Sequence, residues 1–247
     1  MNDKFVRWNL SRITTGSQVF DSVFGGGLPL SSITDVFGSF ATGKTQFAFQ
    51  NAVMTCMHFL DSKMQDGSNE VNRPVVVFVD CAGSFRPERI AEISSLRNAN
   101  PDKVLGMISC AYVRSISEQL EVSERLLDEE RFSKCRLIIV DDITINFATE
   151  LDEPEEIFQR QFLLPTYIRK LAYIANRKGV SVLLTNSIRS RSDSGLSETT
   201  GEVIAQYALY RLHFKRADKN RSARFEQPIL ARGKECHFEI EPPGIVP

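Results

Sequence analysis

One stretch of the sequence, Gly38-Ser39-Phe40-Ala41-Thr42-Gly43-Lys44-Thr45, has the residue types and spacing that phosphate binding requires. It matches the pattern G-x-x-x-x-G-K-[ST] at every fixed position. The glycines let the backbone curl so that several N–H groups point at phosphate oxygens, and the lysine places a positive charge beside the outer phosphates. The threonine hydroxyl is a ligand for Mg²⁺. Residues 38–45, the phosphate loop, therefore predict a binding site for a nucleotide and Mg²⁺.

The elements on either side of the phosphate loop must hold it in place, and the sequence supplies both of them. Residues 33–37 form a short apolar run that predicts a strand leading into the loop. A helix is predicted from about Lys44, because apolar residues recur at spacings of three and four, at Phe49, Ala52, Val53, Cys56, Met57 and Leu60. The positive end of its dipole would point at the same phosphates. The alternative is a turn that contains Gly43 and Lys44 by chance. The strand–loop–helix order favours a phosphate-binding loop over this alternative.

A candidate for the metal shell lies at Leu137-Ile138-Ile139-Val140-Asp141-Asp142, where four apolar residues precede two acids. A buried central strand that ends in a carboxylate can hold the Mg²⁺ shell opposite Thr45. Asp141 is the better candidate, because it directly follows the apolar run. The alternative is an aspartate in a surface turn, and the presence of the phosphate loop favours the metal-binding interpretation.

The composition is that of an ordinary globular protein, with 247 residues, 42% hydrophobic, 25% charged and a formal net charge of −1. This charge excludes a global basic field that would attract nucleic acid. The five cysteines contain no C-x-x-C motif, which argues against a disulfide framework or a zinc site and predicts buried free thiols. No apolar run approaches the 18 residues of a membrane span, so we expect a cytoplasmic protein without a membrane partner.

Strands alternate with helices along most of the chain, which predicts an α/β fold with a mainly parallel sheet flanked by helices. Continuous apolar runs at residues 75–79 and 180–184 predict strands that are buried on both faces. Between them, a long helical pattern ends at Lys178, and Pro165 inside it predicts a kink or a restart of the helix.

The last part of the chain has a different pattern. Residues 189–202 are low in apolar content and predict a mobile loop, whereas residues 209–214, 225–230 and 237–240 predict short strands. These strands would form an antiparallel edge at the C-terminus. No internal repeat or interior linker is present, so we expect an N-terminal arm at residues 1–12 and one core at residues 13–247.

Several stretches together resemble the core domain of the RecA/RadA recombinase family, and within it the archaeal RadA paralogues of the RadB or RadC type. They are residues 13–17, the phosphate loop followed by Gln46, Phe85-Arg86-Pro87-Glu88-Arg89-Ile90, residues 137–141, Thr185-Asn186 and residues 202–211. The resemblance implies a RecA-type P-loop NTPase core that binds ATP with Mg²⁺ and contacts it through Gln46. It also implies that Arg89 packs on the adenine, and that the protein is nucleoid-associated and acts in homologous recombination and DNA repair.

The sequence departs from this family at positions that serve hydrolysis and assembly. Ala82 stands where the family usually has the glutamate that polarises the attacking water, and Ser187 replaces the glutamine that senses the γ-phosphate. Only 12 residues precede Ile13, so the family's N-terminal helical DNA-binding domain is expected to be absent. The stretch Phe5-Val6-Arg7-Trp8 has the phenylalanine of the F-x-x-A polymerisation element but not its alanine. We therefore expect nucleotide binding with weak hydrolysis and no self-filaments.

Basic residues provide two candidate contacts with DNA. Arg189 and Arg191 begin the loop after Asn186, where the resemblance places DNA-binding loops. A second cluster surrounds a predicted turn and comprises Lys215, Arg216, Lys219, Arg221 and Arg224. Residues of this kind can contact phosphates without distinguishing bases, which predicts weak, sequence-independent binding of single-stranded DNA. The alternative for the second cluster is a solvated hairpin tip, which charge clusters usually form.

These observations favour a regulator or mediator of a full-length RadA-type recombinase, or of another paralogue, that binds ATP and hydrolyses it poorly. One alternative is a DNA-dependent ATPase in which Asp142 or Glu88 supplies the catalytic carboxylate. Another alternative is a RecA-core signalling ATPase that does not act on DNA.

Overall fold

A computed structural model describes residues 11–66, 74–128, 130–151, 157–188, 196–217 and 220–247 of the chain. Arg189 and Arg191, together with the stretch from Phe5 to Trp8, lie outside the described residues.

A nine-stranded sheet runs through the described part of the chain. The strands are β1 (Arg12–Ile13), β2 (Leu28–Pro29), β3 (Ser32–Gly38), β4 (Val76–Asp80), β5 (Ile108–Tyr112), β6 (Leu137–Asp141), β7 (Ser181–Ser187), β8 (Ala208–Ala217), β9 (Asn220–Gln227), β10 (Glu235–Glu241) and β11 (Gly244–Val246). The strand order of the nine-stranded sheet is β11-β10-β9-β8-β3-β7-β6-β4-β5, and a separate two-stranded ribbon joins β1 to β2.

Pairing within this sheet is parallel from β8 to β5 and antiparallel from β8 to β11. The strands β4 and β6 are buried at every position, which explains why their sequences are continuous apolar runs rather than alternating ones. The predicted fold class, a mainly parallel α/β sheet with an antiparallel C-terminal edge, is confirmed.

Helices cover both faces of the sheet. They are α1 (Gln18–Phe24), α2 (Lys44–Asp66), α3 (Pro87–Leu96), α4 (Pro101–Gly106), α5 (Ile116–Asp128), α6 (Ile145–Glu150), α7 (Ile157–Lys178) and α8 (Leu196–Tyr207), with a 3₁₀ turn at Glu130–Phe132. One apolar core lies between the sheet and α1, α2, α3 and α4, and a second core lies between the sheet and α5, α6 and α7. No helix in the described part of the chain combines the length and the apolar character that crossing a bilayer requires.

Three predictions about individual segments were wrong in part. The helix α7 continues through Pro165 without a restart, because the buried residues Leu164 and Ile168 on either side pack in the same core. Residues 196–202 belong to α8 rather than to a loop, and fully buried Ile204 anchors this helix to the second core. The strand predicted to reach residue 230 ends at Gln227.

The cysteines follow the prediction at four of their five positions. Cys56, Cys81, Cys135 and Cys236 are buried free thiols, whereas Cys110 is exposed. Cys110 lies on β5, and β5 is the outermost strand of its end of the sheet, so part of that strand faces solvent. The prediction of burial was wrong for Cys110.

Candidate nucleotide-binding site

The carboxyl ends of β3, β4, β6 and β7 meet at one edge of the sheet, because these strands run parallel. Open α/β sheets bind ligands at this edge. A cleft of about 660 Å³ lies there, lined by Phe40, Ala41, Gly43, Lys44, Thr45, Gln46, Ala82, Ser84, Arg89, Glu92, Asp141, Asp142, Thr185, Ser187, Arg221, Ile240, Glu241 and Pro242. Its size is within the range of small-molecule sites.

The phosphate loop connects the end of β3 to the first turn of α2, as its sequence predicted. The Lys44 ammonium donates hydrogen bonds to the carbonyl oxygens of Gly38 and Ser39, each over 2.9 Å, so the loop curls around its own lysine. Glycine is required at position 38, because a Cβ there would lie 2.2 Å from the carbonyl oxygen of Phe214. Burial lowers the pKa of Lys44, and the nearby carboxylates Asp142 and Asp141 oppose this shift. The loop thus presents a pre-positioned cation to the cleft.

Thr45 and Asp141, the predicted metal ligands, are in contact. The Thr45 hydroxyl lies 3.1 and 3.0 Å from the two carboxylate oxygens of Asp141. The same carboxylate accepts hydrogen bonds from the hydroxyls of Ser84 at 2.5 Å and Thr185 at 2.6 Å. Burial raises the pKa of Asp141, and these three hydroxyls oppose the shift. Mg²⁺ prefers oxygen ligands and one or two carboxylates, so this cluster of oxygens fits the ion.

Ala82, Asp142 and Ser187 face the cleft where hydrolysis would require a polar group. Ala82 offers only a methyl group to the cleft. Its backbone N–H donates a hydrogen bond to the Asp80 carboxylate over 3.2 Å. The Ser187 hydroxyl donates to the Asp142 carboxylate over 3.0 Å, and the Asp142 N–H donates to the Thr185 hydroxyl over 2.8 Å. Two side chains therefore fix Asp142, whose φ of +58° is unusual for a residue other than glycine.

Arg89 lies at the other end of the cleft and holds its wall in place. Its guanidinium donates to the Gln46 side-chain oxygen over 2.8 Å and to the carbonyl oxygens of Glu241 and Pro242, each over 2.7 Å. Arg89 also pairs with Glu92. The two residues assigned to ATP by the resemblance, Gln46 and Arg89, are thus in direct contact with each other. Packing of Arg89 on an adenine stays a prediction.

A second arginine of the same helical region supports this wall. Arg97, directly after α3, donates to the carbonyl oxygen of Pro243 over 2.9 Å, so three consecutive carbonyls at residues 241–243 accept from two arginines. Gln50 of α2 holds β11, the strand after this turn, because its side-chain oxygen accepts a hydrogen bond from the Ile245 N–H over 2.5 Å. The turn after β10 is therefore fixed as one wall of the cleft.

Comparisons with known proteins agree with this architecture. The family model described as Rad51 matches residues 6–247. The chain belongs to the Rad51 family. It is 34% identical over 247 residues to the DNA repair and recombination protein RadA of Cenarchaeum symbiosum (strain A), covering 97% of this chain and 59% of that protein. The resemblance to the RecA/RadA recombinases is therefore confirmed at the level of the family.

Two further relatives of this Rad51-family chain show similar agreement. The chain is 32% identical over 250 residues to the meiotic recombination protein DMC1 of Saccharomyces cerevisiae (strain ATCC 204508 / S288c), covering 97% of this chain and 72% of that protein. It is 30% identical over 250 residues to the DNA repair and recombination protein RadA of Ignicoccus hospitalis (strain KIN4/I / DSM 18386 / JCM 14125). That alignment covers 98% of this chain and 75% of that protein. The chain thus spans between 59% and 75% of the length of these relatives.

The predicted DNA-binding residues of this Rad51-family chain are not all brought together. Lys215 and Arg216 are both exposed on β8, but neighbouring residues of a strand point to opposite faces of a sheet. The Arg216 side chain lies on the same face of the sheet as buried Phe214, whereas the Lys215 side chain lies on the same face as His213. The basic cluster in the sequence suggested one surface, but Lys215 and Arg216 lie on opposite faces of the sheet.

Several cleft residues carried no signal that sequence reasoning could use. Glu92, Arg221 and residues 240–242 line the cleft, yet residues 240–242 lie almost 200 residues from the phosphate loop along the chain. The hydroxyls of Ser84 and Thr185 were also missed as partners of Asp141. Thr185 lies near the carboxyl end of β7, and Ser84 follows β4 by four residues. This position, at the edge where Asp141 was expected, is the signal that could have identified them.

Proposed function

We propose that this Rad51-family chain binds ATP with Mg²⁺ in the cleft and hydrolyses it slowly. Its role would be to regulate or mediate a full-length recombinase in homologous recombination and DNA repair. The observation that carries the proposal is the convergence of Lys44, Thr45 and Asp141 at the end of the parallel strands, next to a position, Ala82, that cannot accept a proton.

Each part of the cleft has a role in this proposal. Lys44 and the phosphate-loop N–H groups would hold the phosphates, and Thr45 with Asp141 would hold Mg²⁺. Gln46 and Arg89 would lie beside the adenine, next to the wall at Glu241 and Pro242. When bound, Mg-ATP supplies a phosphoryl group that can be transferred to water.

Slow hydrolysis follows from the side chains at positions 82 and 187. A positioned general base contributes about 10²–10⁴-fold to a rate, and the alanine methyl group supplies none. The Ser187 hydroxyl already donates to Asp142 in the structure. Single-turnover hydrolysis with excess protein tests the proposal, since a rate near the typical ~10 s⁻¹ of enzymes would contradict it.

A second candidate function, a DNA-dependent ATPase with a relocated carboxylate, is supported by the placement of Asp142. Asp142 lines the cleft and is held by two hydroxyls, whereas Glu88 is exposed on α3 and is not among the cleft-lining residues in the described part of the chain. If single-stranded DNA stimulates single-turnover hydrolysis at least about tenfold and Asp142→Asn abolishes this stimulation, the second function replaces the first. Unchanged slow turnover in Asp142→Asn would exclude it.

A role beside another recombinase is proposed from the relatives and from the departures in sequence. The relatives carry names that refer to recombination and DNA repair, which favours this role over a signalling ATPase that does not act on DNA. We expect the pure protein to form no long filaments with ATP and single-stranded DNA, and to bind a full-length recombinase when ATP is present. Long regular filaments in electron micrographs of the pure protein, or no complex by light scattering at tens of micromolar, would contradict this part of the proposal.

A further inference from the structure

The alternation of side chains along β9 separates its two arginines. Ala223 and Phe225 are fully buried in the core between the sheet and α2. Arg221 has the same parity as these two residues, so it faces α2 and the phosphate loop. Arg224 has the opposite parity, is exposed, and pairs with Glu226 on the other face. Two arginines that are close in sequence therefore serve different surfaces.

Arg221 reaches the phosphate loop from this face. It lines the nucleotide cleft together with Phe40, Ala41 and Gly43. Its Cδ atom lies 3.6 Å from where a Cβ on Gly43 would be, and Gly43 directly precedes Lys44. The aliphatic part of the Arg221 side chain therefore lies against the loop, and the residue is part of the cleft lining.

A second guanidinium belongs to the same face. Arg216 of β8 and Arg221 of β9 are register partners, so their side chains point to the same side of the sheet. Arg216 continues the face of Phe214, whose carbonyl oxygen touches the phosphate loop at Gly38. Arg221 is the member of this pair that lines the cleft in the described part of the chain.

We propose that Arg221 contacts the phosphates of the bound nucleotide and belongs to the nucleotide site rather than to a DNA-binding surface. The inference rests on the proposed function, and it adds a contact supplied by β9, about 180 residues from the phosphate loop. The expected ligands are nucleoside triphosphates and diphosphates, because a guanidinium offers several N–H donors in a planar arrangement that matches phosphate oxygens. Lys44 holds the phosphates from within the loop, and Arg221, whose side chain lies against the loop at Gly43, approaches them from β9.

Binding of Mg-ATP and of Mg-tripolyphosphate to wild type and variants, measured by calorimetry, tests this assignment. Tripolyphosphate carries no base or sugar, so it isolates the phosphate contacts. We expect Arg221→Gln to weaken both ligands about tenfold or more, as the loss of a hydrogen bond to a charged group would do. Arg224→Gln, from the same strand but the opposite face, is the matched control and should bind both ligands like wild type.

Arg221→Lys separates a loss of charge from a loss of folding, because it keeps the cation and the aliphatic chain. It should bind both ligands more tightly than Arg221→Gln but less tightly than wild type, because the ammonium keeps the charge and lacks the planar set of donors. The melting temperatures of all variants should lie within a few degrees of one another. The assignment is wrong if Arg221→Gln binds both ligands within about twofold of wild type. It is also wrong if the Arg221→Gln variant loses affinity for Mg-ATP but not for Mg-tripolyphosphate, or if Arg221→Lys is no better than Arg221→Gln. A wild-type protein that binds neither ligand contradicts the proposed function itself, and this inference falls with it.

Discussion

Gln50 connects three distant parts of the chain, and replacing it tests how the cleft wall is held. The Gln50 side chain is fully buried on α2, donates to the carbonyl oxygen of Thr15 over 2.7 Å and accepts from the Ile245 N–H over 2.5 Å. Gln50→Leu keeps a side chain of similar size but removes both hydrogen bonds. Two buried backbone groups then lose their partners.

The expected size of this effect follows from the number of groups left without a partner. A buried polar group without a hydrogen bond costs about 1–3 kcal/mol, so two of them reduce the free energy of unfolding by about 2–6 kcal/mol. For a chain of this length the melting temperature should fall by roughly 5–20 °C. The affinity for Mg-ATP should fall as well, because the strand β11 that Gln50 holds continues directly from the turn at residues 241–243.

Asn51 offers a matched control on the same helix. It is also fully buried and also an amide, but its side-chain nitrogen bonds only the Phe47 carbonyl of its own helix, and its side-chain oxygen has no partner among the described residues. Asn51→Leu should therefore leave the stability unchanged or increase it. Urea unfolding followed by circular dichroism, together with calorimetric titration of Mg-ATP, measures both effects. Equal stabilities of the two variants would refute the reasoning.

Three further predictions concern hydrolysis, DNA and pH. Ala82→Glu should raise the single-turnover rate by about 10²–10⁴-fold, and an unchanged rate would mean that Ser187 or another group limits the reaction. The double variant Arg189→Ala and Arg191→Ala should bind single-stranded DNA more weakly, with a salt slope lower by about 1.4, and an unchanged slope would make these arginines bystanders. Burial raises the pKa of Asp35 from 3.8 to about 6, against the opposing effect of Arg211. The folded state therefore retains this proton to a higher pH than the unfolded chain does. The free energy of unfolding should consequently decrease as the pH rises from about 4 to about 6.5. Asp35→Asn should remove that part of the pH dependence, and identical pH profiles for both proteins would show that Asp35 does not titrate in this range.

The phosphate and metal end of the site could be predicted because each signal is local in sequence. The loop pattern lies within eight residues, and Asp141 directly follows a buried apolar run. Parallel strands then bring their carboxyl ends to one edge, which explains how Thr45 and Asp141 meet although they are 96 residues apart. Strand–loop–helix order was sufficient to place these groups.

The wall of the cleft could not be predicted, because it depends on long-range contacts. The turn at residues 241–243 is positioned by Arg89 and Arg97, about 150 residues earlier in the chain, and no spacing in the sequence connects them. The role of Arg221 depends on which face of β9 is buried. A cluster of basic residues in the sequence does not reveal how a strand divides them between two faces.

Local composition also misled the prediction of residues 196–202. Their polar residues suggested a loop, but Ile204 packs in the second core and stabilises the whole helix α8. The same principle explains the continuity of α7 through Pro165, since packing on both sides of the proline outweighs a local preference.

The central claim is that the cleft at the end of the parallel strands binds a nucleotide with Mg²⁺, and one titration tests it most directly. Calorimetry should show tight binding of Mg-ATP to the wild-type protein and no measurable binding to Lys44→Ala, because the phosphates lose the cation around which the loop curls. Lys215→Ala, which removes an exposed lysine outside the cleft, should bind like wild type. Unchanged affinity in Lys44→Ala would contradict the assignment of the site.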